Sequence, residues 1–242
     1  MTTTAKTFDK RLEHLKGLVN AAQDEIILAV MLHETWKPTA YDDSLHRRMG
    51  HSYATHTFQI VRSALRREML LTLARLWDTN PKALRMTKVE DMLRDKTFFD
   101  SLVAQRAARL SSRFDVTQVM RETLEPKRDQ VLGLIRKYLV GGEEAPVLQK
   151  VRALRHQRLA HRQVNADRLE TDPEDVGVTD KEIEAFYVDT IEIVTLLLSL
   201  VLATAFDIGA EATSVYQNHA RFFWAAVRGE RTEGHPYYRA LA

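Results

Sequence analysis

An antiparallel all-α bundle of about six to eight helices is the fold class this sequence predicts, and two observations predict it. Apolar residues recur three and four apart over long stretches, and no stretch alternates apolar and polar residues between hairpin turns. A chain of 242 residues with 45% apolar side chains can bury a substantial core. No repeat, low-complexity run or break in composition divides it, so residues 1–242 read as one domain.

The first helix spans about Phe8 to His33 on Leu12, Leu15, Val19, Ala22, Ile26 and Val30, and the Lys37-Pro38 step is expected to end it. A second begins at Asp42 or Asp43, either of which can cap it, and runs to Asp78 through Phe58, Val61, Leu65, Met69, Leu73 and Leu76, with a kink at Gly50. Asp78-Thr79-Asn80-Pro81 is a turn, and Thr87-Lys88-Val89-Glu90 has the form of a capping box that opens a short helix. Another helix starts near Phe98 and reaches about Phe114. The next runs from Val116 to Val140 and stops at Gly141-Gly142, since glycine takes the left-handed conformation of a helix end without strain. Glu143, Glu144 and Pro146 suit the first turn of the following helix, about 145–163. Residues 164–178 form an acidic loop with Asp167, Glu170, Asp172, Glu174 and Asp175. Thr179-Asp180-Lys181-Glu182 is a second capping box and opens an apolar helix to about Ile208. A last helix, Glu211 to Arg228, precedes the tail 229–242, in which His235, Tyr237 and Tyr238 stand near Pro236.

The helix after Gly142 carries the most informative stretch, Arg155-His156-Gln157-Arg158-Leu159-Ala160-His161. Wound at about 100° per residue, Val147, Leu148, Val151, Leu154 and Leu159 fall within one arc, which should face a core or a partner. Arg155 and Arg158 fall inside that arc, His161 lies just past its edge and His156 on the opposite side. An unpaired buried guanidinium costs several kcal/mol, so cations on a burying stripe point to an interface or cleft that holds an anion. Between Lys150 and Arg168 the basic residues Lys150, Arg152, Arg155, Arg158, Arg162 and Arg168 face one acid, Asp167, a footprint suited to phosphates. The whole chain, by contrast, has a net charge of only +2.

Several function classes drop out. With no cysteine there are no disulfides, thiolate metal sites or cysteine nucleophiles, which is compatible with a reducing cytosol. The nine glycines never form a phosphate loop, and no serine-hydrolase elbow is present, so nucleotide cofactors are not indicated. His46, His51 and His56 recur every five residues, which spreads them around a helix and argues against a shared metal; His14, His33, His219 and His235 have no ligand-like context. Trp36, Trp77, Trp224, Phe222 and Phe223 could stack bases, but apolar residues at helical spacing are more often core. The residues from Met1 to Lys10 have no apolar core of signal-peptide length, and the apolar run Ile193–Phe206 is short of the ~20 residues that cross a bilayer. A cytoplasmic protein with no membrane partner is expected.

The motif resembles that of the HEPN superfamily, helical bundles whose ribonuclease members carry an arginine, a polar residue and, a few residues on, a histidine. Arg155, His156 and His161 fit that pattern. The chain is most similar to the AbiU-type abortive-infection HEPN-like family, through Leu154–Arg162, Leu73-Ala74-Arg75-Leu76-Trp77-Asp78, and the acidic loop leading into Thr179-Asp180-Lys181-Glu182-Ile183. Two positions depart from the superfamily. His156 stands where asparagine or aspartate is frequent, and Gln163 stands where some members carry a tyrosine that a partner enzyme modifies, so regulation by that modification is not expected.

The resemblance implies a cofactor-free, metal-independent endoribonuclease of phage defence or a toxin–antitoxin pair. The ribose 2′-hydroxyl would attack the adjacent phosphate and leave a 2′,3′-cyclic end. His161 would be the base, since neutral imidazole can take that proton. Arg155 would stabilise charge on the phosphate, His156 would support it, and Arg152, Arg158 and Arg162 would hold RNA. On a straight helix Arg155 and His161 differ by about 120° in direction, so a two-fold pairing of motif helices or a helix irregularity is needed to join them. A homodimer is expected, with RNA as substrate and room for an antitoxin or regulatory protein. The alternative is a non-catalytic helical module that binds RNA or protein through the same surface. In a third reading the acidic loop covers the basic stripe as a regulatory lid.

Overall fold

The computed structural model describes residues 3–78, 85–110, 115–161, 177–229, 232–235 and 238; the side chains of residues 3–5 and 154–161 lie outside that description. Among the described residues the fold is all-α, with nine α-helices and no strands: α1 (Thr3–Tyr41), α2 (Asp43–Met49), α3 (Tyr53–Leu76), α4 (Met86–Arg94), α5 (Lys96–Ala108), α6 (Thr117–Tyr138), α7 (Ala145–His161), α8 (Asp180–Leu197) and α9 (Thr213–Ala225). Two π-helical turns, Leu198–Leu202 and Ile208–Ala212, lie between α8 and α9.

Four long helices form the centre. Glu25 of α1 pairs with Arg75 of α3 at 2.9 Å while Tyr41, at the other end of α1, feels the charges of Arg62 and Arg66, so α1 and α3 are antiparallel. Arg66 meets Asp180 at 3.1 Å and Trp77 meets Thr190 at 3.4 Å, which makes α8 parallel to α3. Tyr138 reaches Asp189 at 2.7 Å and Lys127 reaches Ser199 at 2.6 Å, so α6 runs against α8. α1 and α6 thus run one way, α3 and α8 the other. Their inward faces, together with α4, α5 and the first half of α7, enclose one core in which Leu15, Ile26, Leu73, Phe99, Ile135, Val151 and Phe186 are completely buried. A smaller cluster of Leu45, Met49, Phe58, Ala220 and Trp224 ties α2 and α3 to α9.

Several boundaries differ from the sequence expectation, each for a physical reason. α1 continues through Pro38 to Tyr41. Trp36 is buried there, Thr39 returns its hydroxyl to the Trp36 carbonyl at 2.6 Å, and the Pro38 carbonyl still accepts the amide of Asp42 at 3.0 Å, so packing outweighs the missing amide of proline. The helix expected from Asp42 to Asp78 is two helices. Gly50, at φ 53°, ends the first, and Ser52 with Thr55 caps the next. The short helix predicted after Asn80-Pro81 exists as α4, but the Thr87–Glu90 box does not form. Glu90 is instead buried against Arg136 at 2.9 Å.

The helix expected near Phe98–Phe114 begins earlier, at Lys96, because Asp95 caps the amides of Thr97 and Phe98; it ends at Ala108, and residues 111–114 lie outside the described residues. The Thr179–Glu182 box forms as predicted. The apolar run that follows does not stay helical to Ile208. α8 passes into a π turn at Leu198, and Ala203 takes left-handed backbone at φ 62°. By length and composition Asp180–Leu202 could span a membrane, yet Ile183, Phe186, Ile193, Val194 and Leu197 on it are core residues of the bundle.

Candidate functional site

The helix that carries the motif is fixed at its start by a glycine turn. Gly141 has φ 90°, and a Cβ on Gly142 would strike the carbonyls of Arg136 and Lys137, so the chain can double back from α6 into α7 only with glycine there. Val147, Leu148 and Val151 then bury one face, as the wheel predicts. Lys150 reaches sideways to Glu182 of α8 at 3.1 Å, the same carboxylate that caps α8 through the amide of Thr179 at 2.7 Å.

Arg152 is held inside the fold. Its Nε and Nη2 both donate to the carbonyl oxygen of Trp77, at 3.1 and 2.7 Å. That oxygen lies at the C-terminal end of α3, where helix carbonyls lack partners and a cation is favoured. Burial presses the Arg152 guanidinium below its usual pKa, and the nearby Asp78 charge opposes this. Trp77 is itself a hub. Its ring packs on Tyr138 and Phe186, with centroids 5.4 and 5.7 Å away, and its indole nitrogen donates to Thr190. Leu73, Ala74, Leu76 and Trp77 are buried, so the Leu73–Asp78 stretch serves as the seat of α7.

Beyond Arg152 the backbone of α7 remains one unbroken α-helix through His161. Arg155, His156, Arg158 and His161 occupy its last two turns; their side chains lie outside the described residues, as do Arg162 entirely and residues 164–176 of the acidic loop. Across six positions of regular helix the Cα atoms of Arg155 and His161 are separated by roughly 9 Å along the axis and about 120° around it. Of the two ways to bring that pair onto one phosphate, a helix irregularity between them is absent from the backbone. Val178 and Gly177, at the end of the acidic loop, are described: Val178 is buried and Gly177 has φ 66°.

The family model HEPN_AbiU2, described as AbiU2, matches residues 12–223. The chain belongs to this HEPN-like abortive-infection family. No curated protein and no solved structure matches it. The match covers the seat in α3, the whole of α7 and the capped start of α8, the three stretches on which the resemblance rests. Arg152 and Lys150 thus join all three within this HEPN-family bundle.

One polar cluster escaped the sequence reading. His33, expected to be without special context, is buried; its Nδ1 lies 2.8 Å from Glu34 and its Nε2 2.8 Å from Glu184 of α8. Tyr187 stacks on the imidazole with centroids 4.0 Å apart. Burial pushes the His33 pKa down, but the hydrogen bonds and charges of Glu184 and Glu34 outweigh it, leaving the pKa raised. Burial likewise opposes ionisation of Glu184, and the His33 bond overcomes it to hold that carboxyl below its usual range. A signal did exist in the sequence, because His33 continues the stripe Ile26, Ala29, Val30, and a histidine on a burying stripe needs partners. Glu184, 151 residues away, gave none.

The aromatic expectations divide. Trp36, Trp77 and Trp224 are core, whereas Phe222 and Phe223 on α9 are 69% and 62% exposed. His46 donates to or accepts from neither His51 nor His56; its Nε2 bonds the Thr39 carbonyl at 2.7 Å.

Proposed function

We propose that this HEPN-family protein is a homodimeric, metal-independent endoribonuclease acting in the cytoplasm as a defence or toxin component. The observation that carries the proposal is the placement of Arg155 and His161 on the last turns of an uninterrupted α7, whose earlier turns are anchored to α3 and α8. Anchoring supports a preorganised site, since a catalytic pair must be held close to its working geometry. The unbroken helix supports two-fold pairing, because one regular helix cannot aim both residues at a single phosphate from close range.

In the composite cleft, neutral His161 takes the proton of the ribose 2′-hydroxyl. The 2′-oxygen attacks phosphorus and the bond to the 5′-oxygen breaks, so the products carry a 2′,3′-cyclic phosphate and a 5′-hydroxyl. Arg155 faces the phosphate oxygens as negative charge builds, with His156 in support. Arg158 and Arg162 neutralise flanking phosphates. Arg152 acts differently from its sequence expectation in this account: with both donors on Trp77, it positions α7.

Induced expression of the wild type in a bacterial host is expected to arrest growth, and His161→Ala to relieve the arrest at equal protein level. Continued growth with abundant, folded, dimeric wild type would count against the enzyme. The exposed pair Phe222 and Phe223 favours one other reading, a non-catalytic interaction module. RNA or protein binding that survives His161→Ala, without cleavage by the wild type, is its signature.

A further inference from the structure

At the end of the bundle away from Glu182, two cations meet one serine and a third stands beside them. Ser199 lies in the π turn that follows α8, about 25 Å from Glu182 at the axial rise of a helix. In an α-helix the amide of Ala203 would bond the Ser199 carbonyl; here it bonds the carbonyl of Leu198, one residue earlier. The freed Ser199 carbonyl accepts from Arg106 Nη2 of α5 at 3.4 Å, and the Ser199 hydroxyl accepts from Lys127 Nζ of α6 at 2.6 Å. Arg109, one turn along from Arg106, adds a third positive charge.

Among the described residues no acid answers them. The carboxylates on the neighbouring turns are engaged elsewhere, Asp100 by Arg121 at 2.7 Å and Glu125 and Asp129 by Arg128 at 2.9 and 2.7 Å. Among the described residues none forms an ion pair with Arg106, Arg109 or Lys127. Burial first, and then the Arg109 charge, press the Arg106 pKa down. Arg106 Nη1 is shut off from solvent with no acceptor. A solvated surface would leave like charges apart and each donor wet. Here a half-buried guanidinium keeps an idle donor beside two further cations, and the chain bends through left-handed Ala203 immediately after.

We propose that Arg106, Arg109, Lys127 and Ser199 form a phosphate-binding site, separate from the motif helix. The phosphate oxygens take the ammonium of Lys127, the hydroxyl of Ser199 and the two guanidinium forks, and the anion cancels the repulsion between Arg106 and Arg109. A free nucleotide and the backbone of bound RNA present the same group. The site stands independently of cleavage by α7.

Inorganic phosphate titrated into the full chain, against chloride at matched ionic strength, tests it by calorimetry and thermal unfolding. Wild type should bind saturably and melt higher with phosphate, as any ligand of the folded state requires. Lys127→Met and Arg106→Met should bind at least about tenfold more weakly, since each removes a charge-assisted contact. His161→Ala should bind like wild type, so failure of the ribonuclease proposal leaves this one standing. Should Arg106→Met misfold, Lys127→Met and Ser199→Ala carry the comparison. The source is read by adding a nucleoside monophosphate and a short single-stranded RNA. A nucleotide source predicts that the monophosphate loses affinity in Lys127→Met while RNA does not; an RNA source predicts that the salt slope of RNA binding falls by about one in that variant. Wild type showing no saturable phosphate response, or both methionine variants matching wild type, overturns the proposal.

Discussion

Both ring nitrogens of the buried His33 end on carboxylates, one on buried Glu34 and one on half-buried Glu184, so its charge is part of what holds α1 to α8. The sign of the pH effect follows from the shifts. His33 has its folded pKa above 6.5, so its contribution is complete below that value and is lost as pH rises through the higher folded pKa. Glu184 is shifted the other way: its contribution is present above 4.5 and is lost as pH falls through a lower folded value. Stability from this pair should therefore be greatest between about pH 4.5 and 6.5 and should fall on the alkaline side. Thermal melts from pH 4.5 up through the alkaline side of 6.5 should show the fall in wild type and flatten in His33→Gln; a wild-type profile that stays flat above 6.5 would refute the assignment. His33→Ala should cost about 3 kcal/mol, because it leaves the buried Glu34 carboxylate without its partner while Glu184 can still reach solvent. Residue-level patterns were legible only where partners are local. Thr179 and Glu182 cap each other across three positions, as their spacing says. Thr87 and Glu90 have the same spacing, but Arg136 from α6 claims Glu90.

At the scale of elements, α7 shows how a helix is placed by its contacts with other helices. Its apolar face was readable from period alone, whereas the contacts that fix it sideways, Arg152 on the Trp77 carbonyl and Lys150 on Glu182, are pairings no pattern encodes. Arg152→Ala should lower stability by about 1–3 kcal/mol through the orphaned Trp77 carbonyl, and Arg152→Lys should recover only part, since an ammonium does not offer the two-donor fork. If Arg152 positions the motif, RNA cleavage should fall in both variants more than stability alone explains; unchanged cleavage would return Arg152 to a purely structural part. Where helices break was harder to read. Pro38 looked like a stop, and the buried Trp36 with the His33 cluster carries α1 past it. Gly50 looked like a kink and is a full stop, because a positive φ cannot continue an α-helix. Nothing in Leu-Ser-Leu-Val-Leu announces the π turn in which Ser199 meets Arg106 and Lys127.

For the whole molecule, the all-α class was legible because the helical period runs through nearly every segment, and the helix count rose to nine among the described residues when the breaks were resolved. The family match runs through the α3 seat, the motif helix and the capped α8 over residues 12–223. The candidate site was legible as residue types and spacing; its seat on Trp77, and the second cluster of cations around Ser199, required the fold.

The most direct measurement is to incubate purified protein with mixed cellular RNA in EDTA, beside His161→Ala, and to determine the mass of the new ends. Fragments ending in 2′,3′-cyclic phosphate from the wild type, absent with His161→Ala, are the predicted result. Intact RNA with both proteins folded and dimeric, or equal cleavage by the two, would contradict it.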